Sequence, residues 1–146
     1  MEAQRAAALS PEDAVILQDY GNTLIDARRP DEALPVLQKA IHLTPFGPPD
    51  LYRAYGRALR DTGRLEEALA AYQQAIRVAP ESIPNHTNLA ILYIRMGRER
   101  EARAEAAKIL RIDPRFSVET YTQRVTAPDQ AARDRTAAAL RQAGLK

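Results

Sequence analysis

Apolar residues recur along most of the chain at intervals of three and four, the spacing that places side chains on one face of an α-helix. Alternating Val- and Ile-rich runs, which are typical of β-strands, are nearly absent. The pattern predicts an all-α fold, with helices over about 11–27, 31–43, 49–62, 65–79, 82–96 and 99–112.

The chain repeats itself with a period of 34 or 35 residues. Pro45, Pro80 and Pro114 each close a similar segment, and their spacings are 35 and 34. The same two offsets relate two further sets of small residues, which are Ala33, Ala68 and Ala102, and Gly21, Gly56 and Ala90. Three markers in one register indicate an internal repeat, which decides the fold of such chains.

These markers resemble the tetratricopeptide repeat (TPR), whose pattern is W-x2-L-G-x2-Y, then A-x3-F, then P. In the second copy the pattern reads Tyr52-x2-Tyr55-Gly56-x2-Leu59, then Ala68-x3-Tyr72 and Pro80. The resemblance covers 14–114 and implies a right-handed α-solenoid of three helix pairs, at about 14–47, 49–82 and 83–116. We therefore expect a flexible N-terminus over 1–10, the repeats within 11–114 and capping helices over 115–146.

Each marker has a physical role in this arrangement. Small residues such as Gly21 and Gly56 let paired helices approach closely, and the closing proline cannot continue the second helix. Gly63 and Gly97 stand where a left-handed residue should end the first helix of a pair. The first repeat has Arg28-Arg29-Pro30 at that place, which leaves its turn geometry open.

The C-terminal segment shows a second, shorter resemblance. Phe116-Ser117 after the last repeat proline, with the ending Leu140-Arg-Gln-Ala-Gly-Leu145, is similar to the tails of TPR regions in bacterial adenylate-cyclase-type regulatory proteins. This resemblance implies a bacterial signalling context, and the arginine-rich, lysine-poor composition also favours a bacterial source. A solenoid also needs a capping helix with a polar outer face, and the tail fits that need.

Charge and composition exclude several classes of function. The net charge is +2 with acidic and basic residues interspersed, so no concentrated basic face indicates nucleic-acid binding. Cysteine is absent, the first eight residues lack the apolar core of a signal peptide, and no window has the length of a membrane span. We expect a cytoplasmic protein, with the periplasm as the alternative if a leader was removed.

We expect no enzyme activity, no metal and no cofactor. The two histidines, His42 and His86, lack metal-ligand spacing, and no glycine-rich phosphate loop is present. His86 occupies a large-residue core position of the third repeat, so we predict a packed core histidine. Ser10, Ser82 and Ser117 stand where helices begin, which favours capping roles over nucleophilic ones.

The resemblance implies a concave surface lined by the first helix of each repeat. The predicted partner-binding residues are Gln18, Asn22, Ile25, Arg53, Arg57, Arg60, Thr87, Ile91 and Ile94. The three arginines are spaced four and three, so they share one helix face, and guanidinium groups bind carboxylates in a bidentate manner. We therefore expect a protein or peptide partner with acidic residues beside an apolar anchor. The alternative is that these arginines pair with Asp26, Asp50 or Asp61 and keep the surface soluble.

The sequence thus predicts a protein–protein interaction module that binds a partner peptide in its groove. Two alternatives stay open, which are a regulatory TPR segment of a bacterial signalling protein and a self-associating structural scaffold. A chaperone-type carboxylate clamp is disfavoured because Asn22 matches one clamp position while Gln18, Ala54 and Pro84 do not match the others.

Overall fold

The computed structural model describes residues 11–44, 50–125, 127 and 129–146, with side chains from Asp13 onward. The expected flexible segment 1–10, including the predicted cap at Ser10, lies outside the described residues. The helices within the described ranges are α1 (Pro11–Asp26), α2 (Pro30–Leu43), α3 (Leu51–Asp61), α4 (Leu65–Val78), α5 (Ile83–Arg95), α6 (Glu99–Ile112), α7 (Val118–Arg124) and α8 (Gln130–Gln142).

The first six helices confirm the repeat reading, and each end lies within two residues of its predicted place. The chain divides into two compact units, with the boundary between Val78 and Ala79. In the first unit α1 pairs with α2 and α3 pairs with α4, while α3 also packs against α1 and α2. In the second unit α5 pairs with α6, and α8 packs against α5 and α7.

Two glycines set the distance between paired helices in the first unit. A Cβ atom added to Gly21 would lie 2.6 Å from Cδ2 of Leu37, and one added to Gly56 would lie 2.6 Å from Cε1 of Tyr72. Both distances are far below van der Waals contact, and Leu37 and Tyr72 are fully buried. The predicted role of these glycines in close helix approach is therefore confirmed.

The three turns within the helix pairs have one geometry, although only two of them contain glycine. Gly63 and Gly97 have φ angles of +83° and +76°, and Arg28 at the equivalent place has a φ of +63°. The Arg28 amide donates to the Ile25 carbonyl at 3.0 Å, as the Gly63 amide donates to the Arg60 carbonyl at 3.0 Å. The first repeat thus makes the same turn with an arginine in the left-handed conformation.

The C-terminal segment forms the cap that the sequence predicts. The hydroxyl of Ser117 accepts from the Thr120 amide at 3.3 Å, and Asp129 accepts from the Ala132 amide at 2.8 Å, so both helices have side-chain N-caps. Leu140 is fully buried, and the Val118 amide donates to the Lys146 carbonyl at 2.9 Å. These contacts fasten the end of the chain to the start of α7.

Candidate partner-binding surface

The arginines of α3 share one face of that helix, which we call the arginine face (Arg53, Arg57 and Arg60). Their side chains are 20%, 21% and 17% exposed, respectively. The rest of α3 is mostly apolar and buried in the first unit, so the helix is strongly amphipathic. Packing of the apolar side therefore fixes the direction in which the arginines point.

Each arginine of this face contacts an aspartate. Arg57 Nη2 lies 3.2 Å from Oδ1 of Asp26, which joins α3 to the end of α1. Arg53 Nη1 lies 3.1 Å from Oδ1 of Asp50, and Arg60 Nε lies 3.1 Å from Oδ1 of Asp61. All three pairings that were the alternative to partner binding are thus present, so local charge is balanced and the arginines are held in place.

The Tyr72 side chain of α4 lies beneath this face. Burial raises the pKa of the Tyr72 hydroxyl, and the positive charges of Arg60, Arg57 and Arg53 act in the opposite direction. The hydroxyl is buried without a hydrogen-bond partner among the described residues. The buried Tyr72 hydroxyl therefore adds a polar atom to the interior beneath the arginine face.

The predicted residues of α1 differ in exposure. Gln18 and Asn22 are half-buried, and Oε1 of Gln18 is buried with no partner in the described part of the chain. Ile25 is only 3% exposed, so it belongs to the core and not to an open surface. Its carbonyl accepts from the Arg28 amide, and the turn at the end of α1 therefore begins at this residue.

The predicted residues of the second unit also divide into two kinds. Ile91 and Ile94 of α5 are half-buried. Thr87 is fully buried, and its hydroxyl donates to the Pro84 carbonyl at 3.0 Å and lies 2.6 Å from the Tyr121 hydroxyl. The expectation of an accessible Thr87 is therefore not met, because α7 of the cap supplies a side chain that covers it.

A small polar cavity of about 260 Å³, which sequence reasoning did not foresee, lies between α7 and α8. Glu119 and Gln123 line it from α7, and Arg133 and Arg141 line it from α8. The Nε atom of Arg133 is buried without a partner among the described residues. The spacing of eight between the two arginines, which is about two helical turns, is the only sequence signal of this cavity.

Among the described residues, no group of three or more His, Cys, Asp or Glu side chains could hold a metal ion. Within the same ranges, no helix has both the length and the apolar character needed to cross a bilayer.

Comparison with known protein families identifies the repeat. A TPR-repeat family model matches residues 56–97, and a second model, described as a tetratricopeptide repeat, matches residues 83–116. Residues 56–116 carry tetratricopeptide repeats. Such repeats form protein-interaction scaffolds, and this is the class of function that the family match indicates. A search of curated protein sequences finds no match to this TPR chain.

Solved structures share the fold of this TPR chain. MamA aligns with a TM-score of 0.67 at 23% identity over 92% of this chain and 78% of its own. The first TPR of Spaghetti (RPAP3), bound to the HSP90 peptide SRMEEVD, aligns with a TM-score of 0.69 at 17% identity over 80% and 94%. The Sgt2 TPR domain from Aspergillus fumigatus aligns with a TM-score of 0.69 at 17% identity over 94% and 80%. These similarities show the fold, an all-α TPR solenoid, as the sequence predicts.

Proposed function

We propose that this chain is a protein-interaction scaffold whose arginine face binds a partner peptide through acidic residues. The observation that carries the proposal is the half-buried row of guanidinium groups on α3, each in contact with an aspartate. In the related fold of Spaghetti (RPAP3), a TPR holds a peptide that contains two glutamates and an aspartate, and this similarity supports the class of ligand.

Arg57 is the central residue of the proposed contact. A guanidinium group carries five N–H donors, and Arg57 uses one of them on Asp26. Asp26, Asp50 and Asp61 retain 28%, 51% and 31% side-chain exposure, so water reaches each pair. A ligand carboxylate can therefore approach the same guanidinium groups without displacing a buried partner, and bidentate geometry would favour it over a single-contact pair.

Gln18 and Asn22 of α1 are the proposed neutral contacts. Both side chains are half-buried. The Asn22 amide can donate to and accept from the backbone of an extended peptide, whereas the Gln18 amide can only donate, because its Oε1 is buried. Ile91 and Ile94, whose side chains are half-buried in the second unit, stay a prediction from their repeat positions. Ile25 and Thr87 are left out of the proposal because both are buried.

A displayed library of random dodecapeptides tests this proposal directly. Selection on the folded chain should enrich peptides with one or two Asp or Glu residues beside an apolar residue. The matched selection uses Arg53→Gln/Arg57→Gln, and a control selection uses Arg64→Gln, which removes an exposed arginine at the start of α4. Equal acidic enrichment with all three proteins would contradict the proposal, since the arginine face would then not select the ligand.

The role as a regulatory segment of a bacterial signalling protein, implied by the tail, stays a prediction. The same holds for cytoplasmic location. Both predictions concern where the scaffold works and not which peptide it binds.

A further inference from the structure

A second surface lies on α1, away from the arginine face, and its equivalent on α3 is covered by helices. Leu51, Ala54 and Ala58 of α3 are spaced three and four, so they form one stripe, and they are 2%, 3% and 0% exposed. This stripe points away from Gly56, whose side of the helix meets Tyr72 of α4. The other helices that pack on α3 in the first unit are α1 and α2, so these two helices bury the stripe.

The same stripe on α1 is open. Subtracting the repeat offset of 35 from the α3 positions gives Ile16, Asp19 and Thr23, and all three are exposed. Ile16 is 64% exposed where Leu51 is 2% exposed, and Tyr20, one turn further along, is 54% exposed. We call Ile16, Asp19, Tyr20 and Thr23 the α1 flank. Among the described residues no helix covers this flank, although the repeat makes it equivalent to a surface on which helices pack.

All charged residues of α1 are acidic. Each of the other seven helices in the described ranges contains at least one Lys or Arg, whereas α1 contains neither and carries Glu12, Asp13, Asp19 and Asp26. Asp13 and Asp19 are each three residues from Ile16, so they lie on opposite sides of it within one turn of the helix. The α1 flank is therefore apolar around Ile16 and bordered by carboxylates.

We propose that the α1 flank binds an amphipathic helix of a partner protein whose apolar stripe is bordered by Lys or Arg residues. This inference goes beyond the proposed function, since it concerns a different face and a ligand of the opposite charge. The equivalent stripe of α3 is covered by helices, which gives the shape of the partner. The acidic border gives its charge, because complementary charges fix the register of a bound helix and exclude partners of like charge.

The apolar contacts of the flank come from Ile16 and Tyr20, which together hold most of its exposed apolar surface. Burial of such surface under a partner helix is favourable in proportion to the area removed from water. The Thr23 hydroxyl donates to the Asp19 carbonyl at 2.9 Å, so it is satisfied within α1 and needs no partner group. The Asp19 side chain is exposed and is the acidic residue within the flank itself.

The same charges disfavour a second copy of this chain as the occupant of the flank. In a two-fold symmetric dimer the same surface of both copies meets, so two α1 helices would lie against each other. Neither helix has a Lys or Arg to offset the carboxylates of the other. Like charges that face each other across an interface oppose association. A basic helix from another protein meets no such repulsion.

A pair of synthetic helical peptides tests the proposal. Each has about 18 residues, or five helical turns, with Leu spaced three and four and Ala elsewhere on the outer face. Lys borders the Leu stripe in the first peptide, and Glu replaces every Lys in the second. Fluorescence anisotropy of the labelled peptides is measured against the full chain. The proposal predicts that the Lys peptide binds many-fold more tightly than the Glu peptide. Equal affinity for the two peptides, or no binding of the Lys peptide, would overturn it.

Three variants, each checked by circular dichroism for unchanged helix content, place the binding on the flank. Asp19→Lys should weaken the Lys peptide several-fold and strengthen the Glu peptide, and Ile16→Ser should weaken the Lys peptide. Leu110→Ser, at an exposed leucine of α6, is the control and should bind as wild type does. Unchanged affinity of the Lys peptide for Asp19→Lys would overturn the proposal. Light scattering that shows a wild-type dimer which Ile16→Ser dissociates would also overturn it, because a second copy would then cover the flank.

Discussion

Nδ1 of His86 on α5 lies 2.7 Å from Oε1 of Glu105 on α6, and the two residues are 2% and 5% exposed. The other ring nitrogen, Nε2, lies 2.6 Å from the Pro80 carbonyl, and Lys108 Nζ lies 2.9 Å from Oε2 of Glu105. Each ring nitrogen therefore has an oxygen within hydrogen-bond distance. His86 is therefore a packed core residue, as the sequence predicts, and it joins the two helices of the third repeat.

Glu105→Ala should destabilise the second unit strongly. The change removes the hydrogen-bond partner of the buried His86 ring and of Lys108, and leaving a buried polar group without its partner costs about 1–3 kcal/mol. Glu99→Ala on the same helix is the control, because its pair with Arg103 is more than half exposed and contributes at most about 1 kcal/mol. Urea unfolding followed by circular dichroism measures both. Similar midpoints for the two variants would show that the buried contact contributes little.

Ala68→Leu tests the repeat register. Ala68 is fully buried in α4, and overpacking such a site typically costs about 1–3 kcal/mol. Ala71 is only 7% exposed, so it cannot serve as an exposed control. Ala70 is exposed, and Ala70→Leu should change the free energy of unfolding by less than about 0.5 kcal/mol. An Ala68→Leu protein as stable as Ala70→Leu would mean that the helix pairs are set in a different register.

Arg28→Gly should stabilise the first unit. A non-glycine residue in the left-handed region is strained, and relief of that strain exceeds the entropy that glycine adds to the unfolded chain, for a net gain of about 1 kcal/mol. Arg28→Ala keeps the Cβ atom and hence the strain, so it serves as the control. Thermal unfolding should give a higher Tm for Arg28→Gly than for Arg28→Ala. The reverse order would show that the entropy glycine adds to the unfolded chain outweighs the strain relieved at this turn.

Leu140→Ala should loosen the cap. Leu140 is fully buried where α8 packs, and truncation of such a leucine costs roughly 2–5 kcal/mol. Leu110→Ala, at a site that is 39% exposed, is the matched control and should cost clearly less. Hydrogen exchange of amides in α7 and α8 reports the effect locally. Unchanged protection in Leu140→Ala would show that α8 is held by its other contacts.

The repeat made most of the fold predictable from sequence, because glycines and prolines with one backbone role mark many of the helix boundaries. Gly63 and Gly97 mark left-handed turns, and the recurring prolines mark the ends of second helices. Arg28 shows the limit of this reasoning. Nothing in an arginine indicates a positive φ, and the turn becomes clear only when its amide is seen to bond back to Ile25.

The candidate site was predictable from sequence where the spacing within a single helix determines which residues share a face. The spacing of Arg53, Arg57 and Arg60 places them on one face regardless of their neighbours, and the structure keeps them there. The prediction that Thr87 is accessible was wrong, because its exposure depends on Tyr121. Tyr121 belongs to a cap helix, which the repeat positions do not describe. Carrying positions over from one repeat to another therefore predicts the helix face on which a residue lies. It does not predict whether side chains from other elements bury that residue.

The central claim is that the arginine face binds an acidic peptide, and the most direct test is a titration. A synthetic peptide from the library selection is titrated by calorimetry into wild type, Arg57→Gln and the control Arg64→Gln. A hydrogen bond to a charged group contributes roughly 1.5–3 kcal/mol, so loss of the Arg57 contacts should weaken binding by about tenfold or more. Affinity for wild type should also fall as salt rises, because exposed charges are screened. Wild-type affinity in a folded Arg57→Gln, with Arg64→Gln unchanged as well, would contradict the claim.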